Sequence, residues 1–285
     1  MRILLLLVFL LSCMASNVFA TANVKLDKVE ISQYGLYPFQ QTPFIDEVKL
    51  QALISELEKK VAIEPKNAHW SENNELITEV PGRMLDKEAF QLLFRSAYYE
   101  QNMKHITVPT MPVYPKVDQS LLKEIQTKEL GSYTTFYKKG NKERADNIAL
   151  AAAAIDSHVV FPGESFSFND VVGERTAQRG YKRAPVIVKG ELAEDIGGGI
   201  CQVSSTLFNA VDLKGIQILE RYAHSRSVPY VPEGRDATVS WWGPDFVFKN
   251  RYNQPLLIRA HANEGRMVVR ILSSESVDHF TGESS

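Results

Sequence analysis

The sequence has little cysteine and no surplus of basic residues. Cys13 and Cys201 are its two cysteines, so the Cys-x-x-Cys spacing of many zinc sites cannot occur. The 32 lysines and arginines are balanced by 34 aspartates and glutamates, which gives a formal net charge of -2. Proteins that neutralise nucleic-acid phosphates usually carry a basic excess, so we expect no nucleic-acid partner.

Beyond the N-terminus, the sequence also lacks long apolar runs. Residues 3–11 form an unbroken apolar run behind Arg2, and Val18-Phe19-Ala20 has the spacing that signal peptidase favours. The run is too short for a transmembrane helix, which needs about 20 residues. We therefore predict a signal peptide over residues 1–20 and an extracytoplasmic protein in the medium, the cell wall or the periplasm, without a transmembrane span in the mature chain. The alternative is a lipoprotein site in which Cys13 carries the lipid anchor.

Hydrophobic periodicity divides the mature chain into two parts. Residues 24–115 combine two helical stripes with short strand-like segments, which predicts a small α+β domain in which Asp86 caps the second helix. Pro109, Pro112 and Pro115 predict a linker over 109–120. Residues 131–272 predict a second α+β domain with a mostly antiparallel sheet and a cysteine-bearing helix.

The glycine triplet Gly197-Gly198-Gly199 precedes Cys201 directly after Ile200. Glycine permits the backbone conformations that separate one element from the next, and the following apolar spacing predicts a helix of about three turns. Cys201 is therefore expected at the first turn of this helix. Strands are predicted over 217–222, 237–241, 246–249, 256–262 and 267–272, with a hairpin loop at 263–265.

A cysteine at a helix N-terminus is suited to nucleophilic chemistry. The helix dipole favours the thiolate, and the N–H groups of the first turn can hold an oxyanion. A thiolate nucleophile usually needs an imidazole and a group that orients it. His224 follows one predicted strand and Asp236 opens the next, so we predict the catalytic set Cys201, His224 and Asp236, in the order of papain-like and transglutaminase-like sites. Asp245 competes with Asp236 for the third position.

Structural roles compete with this hypothesis. Free cysteine is among the most buried residue types, His224 has an alternative role as a hydrogen-bonded structural residue, and Asp236 has one as a turn cap. Zinc ligation by the same three side chains is a weaker alternative because no metal-binding spacing accompanies them. We predict neither a metal site nor a cofactor.

A second polar cluster lies upstream of the cysteine. Arg175 can hold a carboxylate through two parallel hydrogen bonds, which suggests a groove for peptide carboxylates. Loop stabilisation is the competing role for these residues. The predicted substrate-binding residues are Glu164, Asn169, Arg175, Thr176, Gly198, Gly199 and Gln202.

Ordered blocks of the sequence resemble the VanW family, which is named for an accessory protein of glycopeptide-resistance clusters. They run from Pro162-Gly163-Glu164 through 172–176 to the segment 197–207, and continue through His224-Ser225, 236–239 and Asp245-Phe246. The resemblance covers residues 131–251 and implies a role in the cell envelope linked to vancomycin resistance. Residues 24–115 resemble the peptidoglycan-binding module that often precedes such domains.

Two classes of function follow for an envelope protein acting at peptidoglycan or its peptide precursors. One is a thiol enzyme that cleaves or transfers an amide in wall peptides, as a peptidase or a transglutaminase-like enzyme would. The other is a non-catalytic module that binds peptidoglycan or acts as a scaffold for envelope proteins. The sequence indicates no oligomeric state.

Overall fold

A computed structural model describes residues 31–36, 44–71, 73–100, 106–188 and 191–278. The predicted signal peptide and Cys13 lie outside these residues. The helices are α1 (Glu47–Val61), α2 (Lys87–Glu100), α3 (Gln119–Glu124), α4 (Lys142–Ile155), α5 (Phe168–Val172) and α6 (Ile200–Ala210), with 3-10 turns at Ile31–Tyr34 and Ala177–Arg179.

The strands are β1 (His69–Trp70), β2 (Leu76–Ile77), β3 (Gly82–Leu85), β4 (Thr110–Val113), β5 (Lys128–Phe136), β6 (His158–Val160), β7 (Ser165–Ser167), β8 (Arg183–Val188), β9 (Glu191–Ile196), β10 (Ile216–Glu220), β11 (Val247–Asn250), β12 (Leu256–Asn263) and β13 (Arg266–Ser273). Among the described residues, every pair of neighbouring strands is antiparallel. The predicted α+β class is therefore confirmed.

The first compact unit contains the described residues up to Glu64 together with Gly82–Val113. Its core is formed by the buried faces of α1 and α2, including Leu50, Leu57, Phe90 and Phe94. Asp46 caps α1 by accepting from the N–H groups of Val48 and Lys49. The predicted cap of α2 is also present, since Asp86 accepts from the N–H of Ala89 at 3.0 Å.

The predicted linker over 109–120 is not irregular throughout. Residues Thr110–Val113 form β4, which pairs with β3 in a two-stranded sheet, and Pro112 lies opposite Arg83. Proline removes only one backbone donor and is tolerated at a sheet edge, which explains why the proline spacing did not stop the strand.

The second unit contains Pro65–Pro81 and the described residues from Tyr114 onward. The segment 65–81, which the sequence analysis includes in the N-terminal domain, therefore belongs to this unit. Its backbone explains the assignment, because the Ala68 N–H donates to the Val117 carbonyl and the Trp70 N–H donates to the Ser157 hydroxyl. Hydrophobic periodicity carries no signal of such long-range bonds.

A four-stranded sheet in the order β5-β13-β12-β6 organises the second unit. Met267, Val269 and Ile271 alternate along β13 and are completely buried in the main core, to which α4 and α6 contribute their apolar faces. A smaller cluster around Leu257 and Leu272 covers part of the opposite face. A second sheet, β10-β11-β7, adds the stacked rings of Phe166 and Phe248 to the main core.

The predicted hairpin between β12 and β13 is present. Glu264 and Gly265 both have positive φ angles, of 53° and 80°, as a two-residue type I′ turn requires. In the described part of the chain, no helix combines the length and hydropathy needed to cross a bilayer.

Candidate active site

Cys201 lies in the first turn of α6, as predicted from the glycine triplet. Gly199 occupies the N-cap position with φ of 110° and offers no side chain to cap the helix. A side chain at Gly198 would collide with the backbone of Ala184, so the strand β8 and this loop can approach closely only with glycine there. Asn147 on α4 fixes the loop further by donating to the carbonyl of Gly198 at 3.0 Å.

The remainder of α6 is buried and joined to the rest of the unit by polar side chains. The Ser205 hydroxyl donates to the Cys201 carbonyl at 2.7 Å and accepts from the Ala237 N–H at 2.9 Å. Ser204 donates to the Ala237 carbonyl at 2.6 Å. These bonds place the segment that contains Asp236 beside the cysteine.

The predicted strand over 237–241 is not formed. Its backbone instead bonds to the serines of α6, and a single antiparallel bridge joins Tyr222 to Thr238. The register of that bridge places His224 opposite Asp236. The Asp236 carboxylate accepts from the N–H and from ring Nδ1 of His224, each at 2.6 Å through the same oxygen.

Cys201 is a half-buried residue, and its sulfur has polar neighbours. It donates to the Val239 carbonyl at 3.4 Å and lies 3.8 Å from the Thr238 hydroxyl. The imidazole of His224 lies near enough to the thiol to interact with it. The structure therefore brings the three predicted catalytic side chains together.

The ionisation of these groups is coupled. Burial alone would raise the pKa of the Cys201 thiol, but hydrogen bonding and charge interaction with His224 hold that pKa below its ordinary value. Burial likewise opposes protonation of His224, yet its contacts with Cys201 and then Asp236 raise the pKa of the imidazole. Burial alone would raise the pKa of the Asp236 carboxyl, but hydrogen bonds from His224 outweigh this effect and lower that pKa. The pKa shifts of Cys201 and His224 both act in the direction of a thiolate beside an imidazolium.

Arg221 supports the carboxylate, although sequence spacing gave no sign of it. Its Nε donates to the Asp236 carbonyl and its Nη2 to the Gly234 carbonyl, both at 2.8 Å. The same Nη2 lies 3.7 Å from the Asp236 carboxylate, and the guanidinium lies over the Phe208 ring. Arg221 therefore fixes the turn from which Asp236 reaches His224.

Asp245, the alternative to Asp236 in the predicted catalytic set, forms hydrogen bonds with other residues. Its carboxylate accepts from the Ser167 hydroxyl at 2.5 Å and from the Asn169 N–H at 2.9 Å. In the described part of the chain, no group of three or more His, Cys, Asp or Glu side chains is placed to hold a metal ion.

Two of the predicted substrate-binding residues form a pair near the glycine loop. Arg175 donates through Nη2 to the Asn169 side chain at 2.7 Å, and its side chain packs against Gly197, where an added Cβ would lie 3.3 Å away. The amide of Asn169 is itself fixed by the carbonyls of Ser240 and Pro244. Nη1 of Arg175 is buried without a hydrogen-bond partner among the described residues.

The other predicted binding residues have structural contacts. Glu164 pairs with Lys116 at 3.2 Å, and Thr176 accepts from the Arg179 N–H at the start of a 3-10 turn. Gln202 is 1% exposed and joins β5 to Arg144 on α4, donating to Thr135 and accepting from Arg144, both at 3.0 Å. Gly199 packs against the Arg144 and Ile148 side chains.

Tyr230 is a further neighbour of the site that spacing did not indicate. Burial, together with the nearby thiol, raises the pKa of its phenol, so the hydroxyl stays protonated at physiological pH. Of the adjacent tryptophans, Trp242 is 88% exposed, and its ring lies 5.9 Å from that of Trp241. The pair follows directly on the segment whose carbonyl contacts the sulfur.

Comparison with known proteins places this site within a family. The family model described as "VanW like protein" matches residues 143–272, a range that contains Cys201, His224 and Asp236. Uncharacterized protein YoaR of Bacillus subtilis (strain 168) is 54% identical over 241 residues, which cover 85% of this chain and 80% of that protein. Vancomycin B-type resistance protein VanW of Enterococcus faecalis (strain ATCC 700802 / V583) is 32% identical over 111 residues, which cover 36% of this chain and 40% of that protein. No solved structure gives a significant match. The chain belongs to the VanW family.

Proposed function

We propose that this chain is an exported cell-envelope protein whose Cys201 site cleaves or transfers an amide bond in the peptides of peptidoglycan. One observation carries the enzymatic part: a half-buried cysteine in the first turn of a helix interacts with an imidazole, and a carboxylate fixes that imidazole at 2.6 Å. The envelope part rests on the apolar N-terminal segment and on the similarity to the vancomycin B-type resistance protein VanW.

The proposed chemistry is acyl transfer through a thioester. The Cys201 thiolate attacks the amide carbon and forms a carbon–sulfur bond, and the carbonyl electrons move onto oxygen. Collapse of this intermediate breaks the carbon–nitrogen bond, and the His224 imidazolium gives its proton to the departing amine. Water or a second amine then attacks the thioester and loses a proton to His224, which regenerates the thiolate and releases an acid or a new amide.

The backbone at the start of α6 is available to stabilise the oxyanion. The N–H groups of Ile200 and Gln202 donate to the carbonyls of Gly197 and Gly199, whereas that of Cys201 has no acceptor among the described residues. A free N–H at a helix N-terminus is a suitable oxyanion donor.

Arg175 is the proposed recognition group for a carboxylate on the wall peptide. Its Nη2 is held by Asn169 and its Nη1 lacks a partner, a state that costs about 1–3 kcal/mol in a buried donor. A substrate carboxylate would satisfy Nη1 after a small local opening. Arg175→Ala should raise KM for carboxylate-bearing peptides and leave kcat nearly unchanged. Arg179→Ala, which removes an exposed neighbouring guanidinium, is the matched control, and equal effects of the two variants would contradict this role.

Turnover of wall fragments tests the proposed function. Soluble muropeptides are incubated with the full chain, and products are identified by mass spectrometry as hydrolysed or amine-exchanged peptides. The wild type should convert them and Cys201→Ala should not, while thermal unfolding shows that the variant is folded. Conversion by Cys201→Ala at the wild-type rate would contradict the proposal.

A non-catalytic wall-binding role is the second candidate. It is favoured by the burial of the His224 and Asp236 side chains, which are 6% and 9% exposed. In that case iodoacetamide should fail to modify Cys201 in the folded protein below pH 8, and Cys201→Ala should bind purified sacculi as the wild type does. Binding of sacculi by the full chain also tests the predicted peptidoglycan-binding role of its N-terminal part.

A further inference from the structure

A cavity of about 670 Å³ lies in the second unit between α4 and the end of β12. Its walls include Trp70, Ala149, Ala153, Ala260 and Ala262. The residues that contact the Cys201 sulfur do not line it. Its volume falls within the roughly 300–1,000 Å³ of typical ligand sites.

One side of the cavity is the free edge of a strand. β12 runs to Asn263, but its pairing with β6 ends at Ile258. The last bonds on that edge run from the Ser157 N–H to the Ile258 carbonyl and from the Ala260 N–H to the Asp156 carboxylate, both within 3.0 Å.

Beyond these bonds the peptide groups on the edge have no partner. Successive residues of an antiparallel strand direct their N–H and C=O groups to opposite neighbours, so Ile258, Ala260 and Ala262 all face away from β13. The Ala260 carbonyl and both backbone groups of Ala262 accordingly have no hydrogen-bond partner among the described residues.

The other residues that line the cavity have small side chains or charges that are already paired. α4 contributes alanine side chains, which leave room for a backbone to lie beside β12. Arg259 pairs with Asp156 at 3.0 Å and lies over the Trp70 ring, and Arg270 pairs with Glu129 at 2.6 Å. His69 and His261 also line the cavity, but its carboxylate and guanidinium groups are already paired, so the free charge that it offers to a ligand is small.

We propose that this cavity binds an extended, uncharged peptide segment with small side chains, which adds as a strand to β12 beside Ala260 and Ala262. Strand addition recognises a ligand through its backbone and admits side chains by the space available, and both conditions are met here. The exposed edge from Ala260 to Asn263 spans roughly 10–13 Å and accommodates three or four residues. This site does not depend on the reactivity of Cys201 and goes beyond the proposed function.

Fluorescence anisotropy with the full chain tests the proposal. The probe is a labelled, N-acetylated and C-amidated alanine-rich pentapeptide, and its control carries N-methyl groups on alternate amides, which removes the donors needed for strand pairing. The wild type should bind the first peptide and not the second. Ala153→Trp, which fills the cavity, and Ala262→Pro, which removes an edge N–H that makes no ladder bond, should each weaken binding about tenfold or more.

Cys201→Ala should bind the peptide as the wild type does, and both cavity variants should keep the wild-type rate of Cys201 alkylation, which shows that they are folded. Equal binding of the N-methylated peptide, unchanged affinity in both folded cavity variants, or binding of a soluble chitin oligosaccharide in place of the peptide would overturn the proposal. Loss of peptide binding in Cys201→Ala would also overturn it. A failure of this test leaves muropeptide turnover unaffected, so the two proposals fail independently.

Discussion

Replacing Asp236 by asparagine should slow alkylation of Cys201 at neutral pH while leaving the fold intact. The carboxylate accepts two hydrogen bonds from His224 through one oxygen, and one of them comes from the ring. An asparagine amide has nearly the same shape but no charge. The imidazolium therefore loses its ionised partner, and the thiolate loses the imidazolium that stabilises it.

The size of the effect follows from the contacts. A hydrogen bond to an ionised group contributes about 1.5–3 kcal/mol, and the two side chains are 6% and 9% exposed, so solvent screens the interaction little. Since 1.4 kcal/mol corresponds to a factor of ten, the thiolate–imidazolium pair should become roughly tenfold to a hundredfold less populated.

Iodoacetamide modification followed by intact-protein mass spectrometry measures this population. The rate constant is recorded from about pH 5 to pH 10, on both sides of the ordinary thiol pKa. The two proteins should differ most in the acidic and neutral range and converge at high pH, where any thiol is ionised. Asp245→Asn is the matched control, because the Asp245 carboxylate accepts from Ser167 and Asn169 and does not contact His224.

Superimposable profiles for wild type and Asp236→Asn would refute the electrostatic coupling inferred from the geometry. An equal shift in Asp236→Asn and Asp245→Asn would also refute it, because the effect would then come from general loosening of the loop rather than from the contact with the imidazole.

Three further predictions concern stability. The melting temperature of Asp236→Asn should be lower than that of the wild type at neutral pH, and the difference should disappear in acid. Folding lowers the pKa of the Asp236 carboxyl, so the ionised carboxylate stabilises the fold above its ordinary pKa. This stabilisation is lost as the pH falls through the pKa of the folded protein. Gln202→Leu should cost about 2–3 kcal/mol in urea unfolding, since it removes the hydrogen-bond partner of the Arg144 guanidinium and the bond to the Phe136 carbonyl. Gly198→Ala should cost about 1–3 kcal/mol in the same assay, because its methyl group meets the Ala184 backbone; wild-type stability in either variant would contradict the packing described here.

The cysteine-bearing helix could be predicted because its signals are local. Glycine at 197–199 marks a backbone that other residues rarely adopt, and Gly197 and Gly199 have φ of 87° and 110°. The apolar spacing after it fixes the buried face of α6. The same holds for the β12–β13 hairpin, where two turn residues separate two alternating strands.

The strand predicted over 237–241 was wrong because its pattern of alternating residues does not reveal where its hydrogen bonds go. Ala237 gives its N–H to Ser205 and receives a bond from Ser204, so α6 replaces the neighbouring strand. These serines lie far from it in sequence. The meeting of His224 with Asp236 was nevertheless predicted, since one bridge at Tyr222 suffices to bring them opposite each other.

Arg221, Arg144 and Tyr230 escaped prediction for the same reason. Each reaches the site through tertiary packing: Arg221 bonds backbone carbonyls of the turn at Gly234, and Arg144 comes from α4. Scattered arginines and tyrosines in a sequence of balanced charge carry no signal of their own. Gly198 and Gln202 were predicted to bind substrate, but sequence spacing did not show that Gly198 packs against Ala184 and that Gln202 bonds to Arg144.

Because α6 is hydrogen-bonded to the chain around Ala237, the pKa of the Cys201 thiol is lowered only in the folded protein. Ala237, Val239 and His224 reach α6 and the Cys201 sulfur only when distant stretches of the chain have met. An unfolded chain thus presents an ordinary, slowly reacting thiol. The reactive form of the cysteine arises once the second unit has folded around α6.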